Sequence, residues 1–239
     1  MIRFAWPFVL AGCFTLPLAA ADKEKEVPKH LTDARSLVKA LDLSNTKYEH
    51  GEGSITWTGT VKAECDCSGL VNHLLLHSYG YTDDDLKKWF GAKRPTARRY
   101  HDTFSEGKVK AWAKVATLKD AKPGDVIAVK YTEAEKGENT GHVMLINAAP
   151  KEMKGTVAGI DGATKEWHVE VIDSSMSAHG MTDSRYEKGA KHTGMGTGTF
   201  RVYTGKDDEV IGYTWSTDSA RTVYHQKDHN LVIGRLVRE

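Results

Sequence analysis

Cysteine is scarce in this chain, with only Cys13, Cys65 and Cys67 among 239 residues. A fold stapled by disulfides needs several cysteine pairs, so this fold must depend on an ordinary apolar core. Cys65 and Cys67 stand two positions apart, and residues at that spacing rarely reach the geometry that a disulfide needs. We therefore expect at least one of them to remain a thiol.

Long apolar runs are missing after the N-terminal segment, so we predict no membrane-spanning helix. A charge of one sign is missing as well, because 33 Lys and Arg residues almost balance 32 Asp and Glu residues, for a formal net charge of +1. This balance does not favour a polyanion such as nucleic acid as a partner. Hydrophobic residues make up 40% of the chain, which predicts a globular body.

The first 21 residues have the layout of a secretory signal peptide: a basic start at Arg3, an apolar run, then three alanines. Residues 22–30 follow as a charged tether. The run LAGC, which ends at Cys13, resembles a bacterial lipobox, in which that cysteine is lipidated. The stretch after Cys13 stays apolar, which favours soluble export over lipidation. Either route predicts a protein that is exported, to the periplasm or beyond it.

Apolar residues at helical spacing mark the first half of the chain, whereas the second half alternates like strands. We predict helices at 31–43 and 67–81, and one or two surface helices within 82–106. We predict strands at 126–131, 142–150, 164–175, 194–204 and 230–238. Residues 205–230 look like a polar, irregular extension in which Tyr213, Trp215 and Arg221 (the last outside the residues that the structure describes) are candidates for a substrate wall. Helices followed by antiparallel strands predict one α+β domain over residues 31–239.

Cys67 is the better candidate nucleophile of the two neighbouring cysteines. It falls in the first turn of the helix predicted at 67–81, where free N–H groups and the helix dipole stabilise a thiolate. Gly69 lets backbone or substrate approach closely. Cys65 precedes the helix and lacks this placement, so we expect it to pack as a small apolar residue.

A thiol nucleophile needs a base, which is most often a histidine oriented by a third polar group. His142 stands out because it begins a predicted strand directly after Gly141. Asp173 lies in an otherwise apolar strand, where its carboxylate is suited to accept the imidazole N–H. Ser174 and His168 are alternatives to Asp173 for this third role.

Three motifs resemble, in order, those of the NlpC-type cell-wall cysteine peptidases, a papain-like family related to the CHAP amidases. They are DCSGLV at 66–71, KPGDVIAV at 122–129 and GHVMLI at 141–146, and the resemblance covers residues 35–175. It implies a papain-like α+β fold with the nucleophile at a helix start packed on an antiparallel sheet. It also implies hydrolysis of peptide or amide bonds in peptidoglycan stem peptides, with Cys67 as nucleophile, His142 as base and Asp173 orienting the histidine.

The resemblance further implies that Asp66 and Ser68 hold the amine of the substrate and that Tyr48 lines the site. It implies no cofactor. The chain departs from the family pattern in three ways. The third polar residue is Asp rather than His, Asn or Gln. The gap from His142 to Asp173 is long and implies an insertion around residues 150–166. The usual aromatic and glycine run before the cysteine is absent.

Other functions remain as alternatives to a hydrolase. The domain is suited to act as an inactive papain-like module that binds cell wall or a partner protein, or as a thiol acyltransferase or esterase. His73 and His77 lie four positions apart on the predicted helix, but no paired motif elsewhere completes a four-ligand zinc site, so we expect no metal. The glycine-rich stretch at 194–199 lacks the Lys-Ser/Thr ending of a phosphate-binding loop.

Overall fold

The protein is described here from a computed structural model. It describes residues 1, 27–51, 53–134, 139–155, 157, 159–218 and 222–238. The predicted signal peptide, including Cys13, and most of the charged tether lie outside the described residues. The first helix begins at Lys29, so the tether ends slightly before the predicted boundary at residue 30.

Four α-helices occupy the first half of the chain. They are α1 (Lys29–Ala40), α2 (Cys67–Tyr79), α3 (Asp83–Phe90) and α4 (Ala97–Glu106). Helix α2 ends where Gly80 adopts the left-handed conformation, with φ of 68°. Helix α3 starts with a reciprocal capping box between Thr82 and Asp85. The helices predicted at 67–81 and within 82–106 are thus confirmed, with Gly91 ending α3.

Fourteen strands are found among the described residues, and most belong to one sheet. They are β1 (Thr46–Lys47), β2 (Ser54–Thr56), β3 (Lys62–Glu64), β4 (Trp112–Val115), β5 (Val126–Tyr131), β6 (Gly141–Ile146), β7 (Lys151–Glu152), β8 (Lys165–Ser175), β9 (Tyr186–Glu187), β10 (Ala190–Lys191), β11 (Gly194–Thr204), β12 (Val210–Thr214), β13 (Tyr224–His225) and β14 (His229–Leu236). The main sheet has nine strands and follows the order β13-β12-β11-β8-β6-β5-β14-β4, with β7 added beside β8. All of its strand pairs are antiparallel.

Both faces of the central strands are buried, and each face belongs to a different core. On β5, Val126 and Ala128 pack with the helices, whereas Ile127 and Val129 pack into a second cluster on the other face. This split follows from the two-residue period of a strand. Strands β12 and β13 contact β14, although four strands separate β12 from β14 in the sheet order. The sheet therefore curls around the second cluster.

The prediction that residues 205–230 are irregular is wrong. Strands β12 and β13 lie in this stretch and extend the main sheet beyond β11. The alternation of Val210, Gly212 and Thr214 with their neighbours is short, and polar turns flank it, so its period was hidden. The α+β class and the antiparallel sheet are confirmed. No helix in the described part of the chain is long and apolar enough to cross a bilayer.

Candidate active site

Cys67 is the first residue of α2, as the sequence predicts, and it is buried. The helix starts here because Asp66 caps it: the Asp66 carboxylate accepts the N–H of Gly69 at 2.7 Å. It also accepts the Ser68 hydroxyl at 3.0 Å and the Arg94 guanidinium at 2.8 Å. Burial raises the pKa of Asp66, but Arg94 and the Gly69 N–H outweigh burial and lower that pKa. Asp66 is therefore ionised beside the thiol.

Cys65 has the role expected of a core residue. Its side chain is 1% exposed and belongs to the cluster beneath the helices, and burial raises the pKa of its thiol to about 12. Its carbonyl accepts the Ser174 hydroxyl at 2.6 Å. Both Cys65 and Cys67 are free thiols, which confirms that they do not form a disulfide.

His142 lies on β6 and faces the thiol. The Cys67 side chain contacts the His142 imidazole, and Nε2 of that ring lies 2.6 Å from Oδ2 of Asp173. Burial lowers the pKa of His142, but the charge of Cys67, the hydrogen bond that the ring donates to Asp173 and the contact with Cys67 outweigh burial and raise that pKa to about 10. The structure thus brings Cys67, His142 and Asp173 together in one line of contacts.

Gly141 allows His142 to take this place. Its φ is 146°, and a Cβ at this position would lie 1.9 Å from the backbone oxygen of Val129 on β5. Strands β5 and β6 therefore pair closely only because residue 141 is glycine. The GH pair of the GHVMLI motif has a physical cause: the glycine brings β5 and β6 together, and the histidine follows as the second residue of β6.

Asp173, rather than Ser174 or His168, contacts His142. The Ser174 hydroxyl is directed to the Cys65 carbonyl, and His168 pairs with Glu166 at 3.1 Å. The long gap between His142 and Asp173 contains the short strand β7, which pairs with the N-terminal half of β8. The C-terminal half of β8, which contains Asp173, still pairs with β6. Asp173 therefore reaches His142 in spite of the long gap.

Tyr48 contacts the thiol of Cys67 and also lines a cavity of about 270 Å³. Burial, followed by the charges of Cys67 and Asp66, raises the pKa of Tyr48. The cavity lies beside His142 and is rich in aromatic side chains, including Tyr48, Tyr131, Tyr213, Trp215 and Tyr224. The predicted wall residues Tyr213 and Trp215 do line it.

Two larger clefts, of about 400 and 870 Å³, lie at the other end of α2 and share Tyr79 and Arg238, and a third, of about 300 Å³, lies beside Phe90. None of the three is lined by Cys67, His142 or Asp173, so the contacts of these side chains, and not cleft size, mark the candidate site. The structure also bears on the metal alternative: His77 stacks on Trp57 with ring centroids 3.8 Å apart. Over the described ranges, no group of three or more His, Cys, Asp or Glu side chains is arranged to hold a metal.

The sequence reasoning missed three residues that surround Asp173. His179 places Nε2 3.0 Å from Oδ2 of Asp173, and Arg185 places Nη2 2.9 Å from Oδ1. Asp183 in turn accepts two guanidinium hydrogen bonds from Arg185. Burial raises the pKa of Asp173, but the charges of Arg185 and His179 outweigh burial and hold that pKa well below its usual range. The only signal for this cluster was a polar stretch between two strands, which is also typical of a surface loop.

Trp215 covers the inner end of the site. Its ring stacks on His179, with centroids 4.2 Å apart, and meets His142 edge to face at 4.9 Å. It therefore shields the hydrogen bond between His142 and Asp173 from water, and a hydrogen bond in a water-poor setting is stronger.

Comparisons with known proteins give one relative and no functional name. No protein-family model matches the chain, and no solved structure matches it. The chain is 31% identical over 221 residues to an uncharacterized protein, R653, of Acanthamoeba polyphaga mimivirus, and the match covers 87% of this chain and 96% of the relative. The protein therefore belongs to the same family as the uncharacterized protein R653 of this mimivirus.

Proposed function

We propose that the protein is an exported cysteine hydrolase with a papain-like fold that cleaves peptide or amide bonds, as in peptidoglycan stem peptides. The observation that carries this proposal is the line of contacts from Cys67 through His142 to Asp173. A thiol at a helix start, a histidine in contact with it and a carboxylate behind the histidine match the requirements of nucleophilic catalysis. The resemblance of the three motifs supplies the substrate class.

The contacts of His142 indicate which of its two ring nitrogens exchanges a proton with Cys67. Asp173 is ionised and only accepts, so the Nε2 atom of His142 carries a hydrogen. The remaining nitrogen, Nδ1, is the one available to Cys67. It accepts the thiol proton and then donates a hydrogen bond to the thiolate. The pKa of about 10 for His142 favours this imidazolium at neutral pH.

The proposed reaction has two balanced halves. The Cys67 thiolate attacks the carbonyl carbon, and as the C–N bond breaks, the His142 imidazolium gives its Nδ1 proton to the leaving amine. Water then attacks the thioester while His142 takes a proton from it, and the C–S bond breaks to release the carboxylic acid. His142 and Cys67 return to their starting states.

The start of α2 supplies groups for the negative oxygen formed in both halves. The first N–H groups of a helix have no acceptor within the helix, and the Asp66 side chain uses only that of Gly69. The Cys67 N–H is adjacent to the attacking sulfur. It is therefore placed to donate to the developing oxyanion.

Asp66 and Ser68 are our candidates for contact with the substrate amine, and their contacts limit how this works. The Asp66 carboxylate is already paired with Arg94, and Nδ1 of His50 lies 3.7 Å from it. An incoming amine would share Asp66 with Arg94.

Digestion of purified peptidoglycan, with fragments identified by mass, tests the proposed function. We expect the wild-type chain to release stem-peptide fragments, Cys67→Ala to release none while keeping its fold, and Cys65→Ser to lose little activity. Release of the same fragments by Cys67→Ala would contradict the mechanism. An added amine acceptor separates the alternatives, because aminolysis products without hydrolysis would identify an acyltransferase. Binding without any release would identify an inactive module.

A further inference from the structure

We propose that Arg185 and His179 are positioning residues for the reaction: acting through Asp173, they keep its carboxylate charged and fixed so that His142 presents Nδ1 to Cys67. This inference rests on the proposed function and assigns it two residues outside the predicted set. Both lie in the segment between β8 and β11, to which no other role has been assigned here.

Asp173 is the centre of the arrangement, because three side chains converge on its two oxygens. Oδ2 receives Nε2 of His142 at 2.6 Å and Nε2 of His179 at 3.0 Å, and Oδ1 receives Arg185 at 2.9 Å. Asp173, His179 and Arg185 have fully buried side chains. Because both oxygens of Asp173 accept hydrogen bonds from buried partners, the carboxylate cannot rotate away from His142.

Arg185 and His179, two of the partners of Asp173, are themselves fixed by further hydrogen bonds. Nε and Nη2 of Arg185 donate to Asp183 at 2.9 and 2.7 Å, and Nη1 donates to the Gly194 carbonyl at 2.9 Å. Nδ1 of His179 lies 2.8 Å from the Trp215 carbonyl, and its backbone N–H donates to Asp183 at 2.7 Å. A polar network in which every member is satisfied gives rigidity to its surroundings.

The contacts also define the charges of the network. His179 faces a carbonyl on one side and the ionised Asp173 on the other, and both are acceptors only, so each ring nitrogen carries a hydrogen. The cations Arg185 and His179 then balance the anions Asp173 and Asp183. The network is neutral by itself, which leaves the charge of the His142 imidazolium to be balanced by the Cys67 thiolate.

The glycine-rich strand β11 makes room for this network. A Cβ at Gly196 would lie 2.6 Å from Nε of Arg185, and a Cβ at Gly198 would lie 2.4 Å from Oδ2 of Asp183. Residues 196 and 198 share one face of the strand, so the alternating glycines form a floor beneath the buried charges. The glycine-rich stretch at 194–199 thus makes room for the buried charges.

The experiment compares the pH dependence of Cys67 alkylation by iodoacetamide in matched variants, with the modified residue identified by mass. Several other ionisable groups surround the Cys67–His142 pair and are unchanged in every variant: Tyr48, Cys65, Asp66, Arg94, Tyr100 and Tyr131. Differences between the profiles therefore report the network. The readout needs no substrate, so it does not depend on which bond is cut.

The pattern of shifts across matched variants separates an effect of charge from a merely structural effect. Arg185→Gln and His179→Gln each remove a cation, so the midpoint for thiolate formation should rise by about one pH unit, the scale of one nearby charge of this kind. Arg185→Lys keeps the charge and should keep the midpoint, although it loses the fork-shaped contacts. The double variant Arg185→Gln, Asp183→Asn restores neutrality and should return the midpoint to that of the wild type.

If Arg185→Gln does not fold, nitrogen-15 NMR of the imidazoles in the wild-type chain provides an independent test. We expect Nε2 of His179 to carry a hydrogen that it donates to Asp173, and an Nε2 without a hydrogen would overturn the proposal. Unchanged alkylation profiles in folded Arg185→Gln and His179→Gln would overturn it as well. If wild-type Cys67 reacts no faster than free cysteine, this result contradicts the proposed function, and the positioning role, which rests on that function, is contradicted with it.

Discussion

At the scale of single residues, position along the chain decides the chemistry of two identical side chains. Cys65 is 1% exposed, and burial raises its thiol pKa to about 12, whereas Cys67 opens a helix and contacts His142. The sequence supported this distinction because a helix start is visible in the residues that follow it. The contact with Asp173 was inferred from a polar residue in an apolar strand, and the structure places it beside His142.

Asp173→Asn tests the buried charges at this scale. The substitution leaves Arg185 and His179 without a charged partner in a buried setting, so the free energy of unfolding should fall by about 3–5 kcal/mol. Chemical denaturation measures this change. Glu49→Gln is a suitable control because Glu49 pairs with Lys47 at the surface, and its loss should cost less than about 1 kcal/mol. Equal effects of the two substitutions would contradict the described network.

At the scale of elements, strong periodicity made α2, β5, β6, β8 and β11 predictable, since each buries a continuous apolar face. What sequence could not reveal is how β11 serves as a floor for charged groups, because that depends on contacts with the segment between β8 and β11. The available signal for the floor was the two-residue spacing of the glycines in β11. The same limit applies to β12, because its short apolar pattern can be recognised as a strand only once its pairing with β11 is known.

Gly198→Ala tests the floor of the network. Its added methyl group would meet Asp183 and His179 at 2.4 and 2.7 Å, so we expect a loss of about 1–3 kcal/mol in unfolding free energy. Thr197→Ala is the matched control, because this neighbour points to the opposite face of β11 and should cost less than about 1 kcal/mol. Thermal and denaturant unfolding compare them. Equal losses of unfolding free energy for Gly198→Ala and Thr197→Ala would contradict the close packing around Gly198.

At the scale of the whole molecule, the curled sheet joins distant segments around one site. Cys67 comes from α2, His142 from β6, Asp173 from β8, and Trp215 from just beyond β12. The order of Cys67 and His142 is visible in the motifs and Asp173 was inferred from its apolar strand, whereas the contact of β12 with β14 depends on the curl of the sheet. Buried titratable groups lie within this arrangement, so the stability of the whole fold should depend on pH.

The expected dependence has a maximum near neutral pH. Burial lowers the pKa of His30, so its contribution to stability is present above about 6.5 and is lost as pH falls towards its folded pKa. The lowered pKa of Asp173 adds a further loss at more acid pH. His142 behaves oppositely: with its pKa raised to about 10, its contribution is complete below 6.5 and is lost as pH rises through 10. Melting temperatures from pH 3 to 10 should show both declines.

His142→Gln isolates the alkaline part of this profile. The variant has no imidazole to deprotonate at this position, so its melting temperature should fall less between pH 7 and 10 than that of the wild type. The part of the acid decline that comes from His30 should be unchanged, whereas the part from Asp173 should shrink, because the hydrogen bond with His142 helps to lower the pKa of Asp173. An alkaline decline of the same size in both chains would show that His142 does not hold its proton as described.

The activation of Cys67 by His142 is the central claim, and residue-resolved alkylation at pH 6 tests it most directly. Mass spectrometry would follow iodoacetamide modification of Cys67 and Cys65 in the native chain and in the same chain unfolded in urea. We predict that Cys67 reacts at least about tenfold faster in the native chain, because the thiolate is stabilised there, while native Cys65 is almost unreactive. A native Cys67 that reacts no faster than the unfolded one would contradict the claim.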